Sequence, residues 1–311
     1  MILAGTRTGL VSFGPDSTRG RPAFEGRDVR ALAPAGWKRL WAAVDGRRIW
    51  STDDSGAWRL VASLDDLPDA DGLEIRCLAD TRANAETGIL AGTSRARLVR
   101  VTGQQTLEVV PGFDRAPGRD RWHTPWGGPP DTRTITEDGN QVLVNVHVGG
   151  VLRSRDEGET WHPTIDIHAD VHRVVTGHGR VYAAGARGLW VGENAGDDWR
   201  LAAGGLHATY CRSVAVCGDA LLISASTGPG HGRAAVYRSN VAVDGFERCR
   251  AGLPEWIEGN VDSLCLDAMP DGRLAAFGTE SGDLYASADR GSSWTRLATG
   301  LDGVHCVLTL P

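Results

Sequence analysis

Short apolar runs of four to eight residues, alternating with polar positions and closed by Gly, Asp or Asn, repeat along most of the chain. The stretch "VHRVVTGHGRVYAAGARGLWVGENAGDDW" (171–199) shows the pattern. Period-two alternation bounded by turn residues predicts strands. No long window carries the i, i+3, i+4 apolar spacing of a helix, so the chain is predicted to be all-β. Aligning the first residues of each innermost run gives one column: Arg30, Arg76, Arg133, His172, Arg212, Asp262 and His305. The gaps between them run from 39 to 57 residues, close to the 40–50 of a four-stranded propeller blade. Seven column members predict seven blades.

The two ends complete this count. "VHCVLTLP" supplies an innermost strand with nothing after it, while "MILAGTRTGLVSFG" supplies outer strands without an innermost one. The expected fold is a single seven-bladed β-propeller domain over residues 1–311, built of four-stranded antiparallel blades. The C-terminal strand joins the N-terminal blade, which removes exposed sheet edges. Blade 1 takes residues 303–311 plus 1–26, blade 2 about 27–72, blade 3 about 73–112 and blade 4 about 131–166. Blades 5, 6 and 7 take about 169–204, 209–256 and 260–301, and an insertion at 113–131 precedes blade 4.

An eight-residue motif punctuates the strands: "STDDSGAW" (51–58), "SRDEGETW" (154–161), "GENAGDDW" (192–199) and "SADRGSSW" (287–294). It resembles the Asp-box (BNR) repeat, S-x-D-x-G-x-x-W, with two full copies. One copy has Ser55 in place of the Gly, and another has Gly192 and Asn194 in place of the Ser and Asp. In such a turn the Ser and Asp tie backbone N–H groups, Gly takes φ > 0 and the Trp packs between sheets. Asp53, Asp156 and Asp289 are therefore expected to be structural, and Trp58, Trp161, Trp199 and Trp294 to be buried.

Two residues before each column member stands a second column: Asp28, Glu74, Asp131, Asp170, Tyr210, Asn260 and Gly303. Blades 2 to 4 thus read acid-x-Arg at the blade mouth, a ring of ion pairs. From blade 5 the rule breaks, with His172 beside Asp170, then Tyr210 beside Arg212, and finally Asp262 and His305. Breaks in a consistent local rule mark candidate functional sites. His147 ends the second strand of blade 4, next to the His172 strand. The insertion carries Trp122, His123 and Trp126 among three prolines, and a loop this long suits a roof over a funnel.

Three functions fit this funnel. In the first, His147 and His172, with Asp170, His123 or His305, hold a divalent transition metal (Zn, Cu, Fe or Ni) and leave an open position for substrate. Arg212 and Arg133 then bind a small anionic molecule and Tyr210 gives a proton, with His207, His231, Trp122 and Trp126 lining the site. The second follows from the resemblance to sialidases, six-bladed Asp-box enzymes with an arginine triad and a Tyr nucleophile. Arg30, Arg76, Arg133 and Arg212 could supply the triad, but the blade count differs and no Glu is placed beside Tyr210. The third is a non-enzymatic scaffold with a protein partner on the top face, as the resemblance to seven-bladed photosystem II assembly factors and sortilin-type propellers implies. The clustering of His, Tyr and Arg in blades 4 to 6 favours the metal-dependent enzyme.

Composition narrows the partners. A net charge of −6 gives no general attraction to nucleic acid or anionic membrane. The Gly-rich "GTRTGL" and "GTESGDL" open no helix, so no nucleotide cofactor is expected. The start of the chain has no basic segment followed by a long apolar core, and the six cysteines lack CxxC spacing. The expectation is a cytoplasmic protein with buried thiols.

Overall fold

The computed structural model describes residues 1–14, 16–35, 39–53, 55–81, 88–102, 106–230 and 232–311. It forms seven antiparallel sheets in chain order, the predicted seven-bladed β-propeller. Blade 2 comprises Val29–Ala35, Arg39–Val44, Arg48–Thr52 and Trp58–Ser63; blade 3 comprises Ile75–Asp80, Ile89–Thr93, Leu98–Val101 and Leu107–Val109. Blade 4 follows with Thr132–Asp138, Gln141–Val146, Gly150–Ser154 and His162–Pro163, and blade 5 with Val171–Gly177, Arg180–Gly185, Gly188–Glu193 and Asp198–Ala202. Blade 6 has Tyr210–Cys217, Ala220–Ser226, Ala235–Asn240 and Glu247–Arg248, and blade 7 has Leu266–Ala268, Ala275–Gly278, Leu284–Ser287 and Thr295–Ala298. In blade 1, Val304–Thr309 pairs with Ile2–Thr6, which pairs with Gly9–Phe13. A fourth regular strand is replaced there by two isolated bridges, Leu10 to Ala23 and Phe13 to Arg19.

Packing divides the chain into two compact units, Val29–Val174 and Met1–Asp28 with Val175–Pro311. In each, the middle strands are buried on both faces. Gln141–Val146 has no exposed residue in the first unit, nor does Ala220–Ser226 in the second. A core strand of this kind can carry polar side chains only where they find partners. Asn145 and Ser224 do so across blades. Asn145 Nδ2 donates to the Val171 carbonyl at 2.7 Å, and Ser224 Oγ donates to the Val261 carbonyl at 3.0 Å. The thiol of Cys265 takes the same position toward the Val304 carbonyl at 3.2 Å. All six cysteines are buried.

The repeated turn forms as its residues dictate in both full copies. Gly158 N–H donates to Ser154 Oγ at 2.9 Å, Thr160 N–H donates to Asp156 Oδ1 at 2.9 Å, and the Trp161 indole donates to the Gly158 carbonyl at 3.0 Å. Gly158 sits at φ 91°, where any side chain would be strained. Residues 287–294 repeat the same three bonds. Trp161 and Trp294 are buried, with Phe113 and Phe277 respectively packed edge-on against them. Trp58 and Trp199 depart from the expectation, since both stay half-buried. The reason lies in the hydroxyl that should tie the turn. Gly192 has none, and Ser51 Oγ turns instead to the Thr52 carbonyl.

This difference is measurable. Trp161→Ala should cost about 3–5 kcal/mol in chemical denaturation, as large-to-small core changes do, and Trp199→Ala only about 1–2 kcal/mol. A second expectation concerns acid. The side-chain and backbone hydrogen bonds from Thr160 bring the Asp156 carboxyl down to about 2. A depressed folded-state pKa gives stability that is complete above the unfolded value near 4 and lost as pH falls toward 2. Asp156→Asn should flatten that part of the acid limb in pH-dependent melting, and an unchanged limb would rule out this contribution.

Candidate metal centre

Three side chains converge in the first unit. Asp170 and His172 flank Val171 at the start of the first strand of blade 5, and alternation along the strand puts both on one face. His147 follows the second strand of blade 4. The chain is fixed there by backbone pairing: Val171 N–H donates to the His147 carbonyl at 3.2 Å, and Val148 bridges Asp170. As a result His147 Nε2 and His172 Nε2 lie 3.4 and 3.1 Å from the same oxygen, Asp170 Oδ1. One donor atom from each of the three residues falls within 4.8 Å of the others. The two imidazoles are buried, at 4% and 1% side-chain exposure, and Asp170 is the more open at 17%.

Charge around this group is uneven. Burial alone would raise the Asp170 carboxyl, but the hydrogen bond and charge of His172, with His147 and Arg133, hold it below the usual carboxylate range. A ladder of ion pairs runs through the same unit. Arg30 reaches Glu74 at 3.2 Å, Arg76 reaches the same carboxylate at 2.9 Å, and Arg76 also reaches Asp131 at 3.4 Å. Each base thus takes the acid of the blade that follows. Arg30 and Arg76, two members of the proposed carboxylate-clamping triad, are therefore already held by acids.

The insertion supplies the wall of this group, as an organised segment rather than an open loop. A short helix, Pro111–Asp114, leads into it, and it contains a helical turn, Arg119–Arg121. Trp122 is buried at the Phe113 ring, 5.4 Å between centroids, so it anchors the segment rather than facing a ligand. A Cβ at Gly149 would meet the Val146 side chain at 2.7 Å and Trp122 at 3.0 Å, which explains the small residue there. His123 exchanges both backbone bonds with Val148, and its Nδ1 meets the Arg121 carbonyl at 3.0 Å, outside the three-residue group. Trp126 projects its ring edge-on to His147, 5.1 Å between centroids.

The remaining candidates lie in the second unit. Arg212 already holds partners, with Asp262 at 3.0 Å, the Pro229 carbonyl at 2.9 Å and the Tyr210 ring 5.6 Å away. His207 stacks on Tyr237, with Nδ1 at 2.7 Å from its hydroxyl and Nε2 at 2.8 Å from the Arg233 carbonyl, so both ring nitrogens are used in holding the fold. His305 meets Asp28 at 2.8 Å. His231 lies outside the described residues. Sequence patterns did not single out Asn145 or Thr134, which seat the blade 5 strand. For Asn145 the signal was present as a polar residue ending the apolar run of the second strand, whereas Thr134 sits in a first strand, Thr132–Asp138, that is polar almost throughout.

Neither a protein-family model nor a curated protein sequence matches the chain. Solved structures do. An ancestral GH74 enzyme superposes with TM-score 0.65 at 15% identity, over 97% of this chain and 41% of its own. The YCF48 protein bound to a D1 peptide gives 0.60 at 14%, over 95% and 84%. A GH74 xyloglucanase from Xanthomonas campestris gives 0.60 at 18%, over 95% and 46%. The chain spans less than half the length of the two GH74 proteins. At these identities the likeness is one of fold, shared by enzymes and by a peptide-bound protein alike.

Because Asn145 is buried between two partners, removing its amide leaves the Val171 carbonyl and the Thr134 hydroxyl without it. Asn145→Leu should cost roughly 1–3 kcal/mol, read by denaturant unfolding. An unaffected midpoint would show that the bond does not seat the blade 5 strand.

Proposed function

We propose that His147, Asp170 and His172 hold a divalent transition metal, and that the protein is a metal-dependent enzyme acting on a small anionic substrate. The observation that carries this is the spacing of the donors. Zn–N and Zn–O bonds of about 2.0–2.1 Å at a tetrahedral angle separate neighbouring donor atoms by about 3.3 Å, and the two imidazole-to-carboxylate distances are 3.4 and 3.1 Å. Two imidazoles and one carboxylate suit Zn and the later first-row ions and leave coordination positions for a ligand. The metal would act as a Lewis acid on a bound oxygen. Buried imidazoles lose little conformational freedom when they coordinate, and Asp170 is the least buried of the three. Arg133 acts electrostatically on Asp170, and beside a metal its fixed charge favours an anionic ligand. The fold hosts both catalysts and scaffolds, so the donor set rather than the fold supports an enzyme.

Elemental analysis and calorimetric titration with Zn or Ni test this directly. The expected result is one equivalent per chain, with His147→Ala and His172→Ala each weakening binding by more than about a hundred-fold. Arg133→Gln should leave the metal bound while weakening anions. A chain that takes up none of Zn, Cu, Fe or Ni would overturn the assignment and move the function to protein partners.

A further inference from the structure

The wall built by the insertion carries one large side chain that lies mostly outside its packing, Trp126. Phe113, Trp122 and Trp161 form its buried anchor, and the Arg119 guanidinium lies 5.1 Å from the Trp122 ring. The turn that follows is closed by Thr124, itself 3% exposed. Thr124 N–H donates to the Gly128 carbonyl at 3.0 Å, Gly128 N–H donates to Thr124 Oγ1 at 2.7 Å, and Gly127 N–H donates to the Thr124 carbonyl at 2.9 Å. Trp126 stands at the tip of this tied turn, 72% exposed, beside the 3% exposed His147. Most of an indole is left in water on a rigid support, next to three convergent donors. Folding stability gains little from that placement, whereas a ligand covering the ring would gain from it.

Resting on the metal reading above, we propose that Trp126 is the shelf on which a substrate ring lies, so that the ligand class is a small aromatic carboxylate. A flat unsaturated ring stacks offset on the indole, and its carboxylate turns toward the metal donors and Arg133. Reach sets the size. The Trp126 and His147 rings are only 5.1 Å apart, so the acid must be attached directly to its ring or through a very short link. In a nucleotide a sugar separates the two. Trp126 is thereby a specificity-determining residue and takes no part in coordination.

Benzoate and cyclohexanecarboxylate test the shelf, since they share charge and size and differ in planarity. Both are titrated calorimetrically into zinc-loaded full-length protein, after the zinc content of each variant has been measured. Wild type should bind benzoate roughly three- to ten-fold more tightly, the range expected of one aromatic pair. Trp126→Ala should abolish that preference with zinc still at one equivalent, and Trp126→Phe should retain most of it. Equal affinity for the two acids in wild type, or a preference that survives Trp126→Ala, would overturn the proposal. The two readings fail separately. Protein with one zinc and no dependence on Trp126 keeps the metal centre and loses the shelf. Protein without zinc whose benzoate preference still depends on Trp126 does the reverse.

Discussion

The geometry of the candidate metal centre depends on one buried hydrogen bond, from the Asn145 side chain to the Val171 carbonyl. Asn145 lies two residues before His147, and Val171 lies between Asp170 and His172, so the bond fixes the register of the second strand of blade 4 against the first of blade 5. Thr134 extends it, donating to Asn145 Oδ1 and accepting from Val174 N–H at 3.1 Å. Thr136 Oγ1 donates to the Val174 carbonyl at 2.7 Å. A strand slipped by one residue would turn Asp170 and His172 to the opposite face. In a dry core every member of such a network must be satisfied, which makes the register specific.

The ladder of ion pairs does different work. Arg30, Glu74 and Arg76 are each about a third or more exposed, and pairs of that kind add little stability. Their effect is orientation: each base is drawn to the next blade's acid, and the charges alternate along the unit. Where the column changes from Arg to His, the residue that would supply the following acid in the sequence is Tyr210. His172 instead takes the acid of its own blade, and His147 joins it. The donor group is thus what the ladder becomes when a short side chain replaces a long one.

The blade count, the C-terminal strand's place and the acid-x-base column were legible in the sequence because they are periodic. A pattern repeated seven times averages out local irregularity. His172 was legible for the opposite reason, as a departure from that pattern beside Asp170, and His147 by its place at the end of the neighbouring strand. What stayed hidden was partner choice within the core and the insertion. Asn145 reads as one polar residue in an apolar run, and nothing in the run says which carbonyl it will meet. Trp122 and Trp126 look alike in sequence, yet one is buried at Phe113 and the other is open. Only the turn closed by Thr124 separates them. The half-burial of Trp58 was hidden in the same way, because it hangs on where the Ser51 hydroxyl points, whereas for Trp199 the missing hydroxyl at Gly192 was in plain view.

The repeated turn and the candidate metal centre, which the sequence presents as unrelated, are joined by packing. Trp161 is held by its turn and meets Phe113 edge-on, Phe113 meets Trp122, and Trp122 precedes the backbone pair between His123 and Val148. Val148 in turn bridges Asp170. A structural repeat thereby fixes one wall of the site while the Asn145 network fixes the other, so the donors are set by rigid elements on both sides. Ligand binding at such a site loses little to reorganisation of the protein. Substitutions in the box at 154–161 should therefore reach the donors only through the position of the insertion, and those in the Asn145 network through the register of the strand.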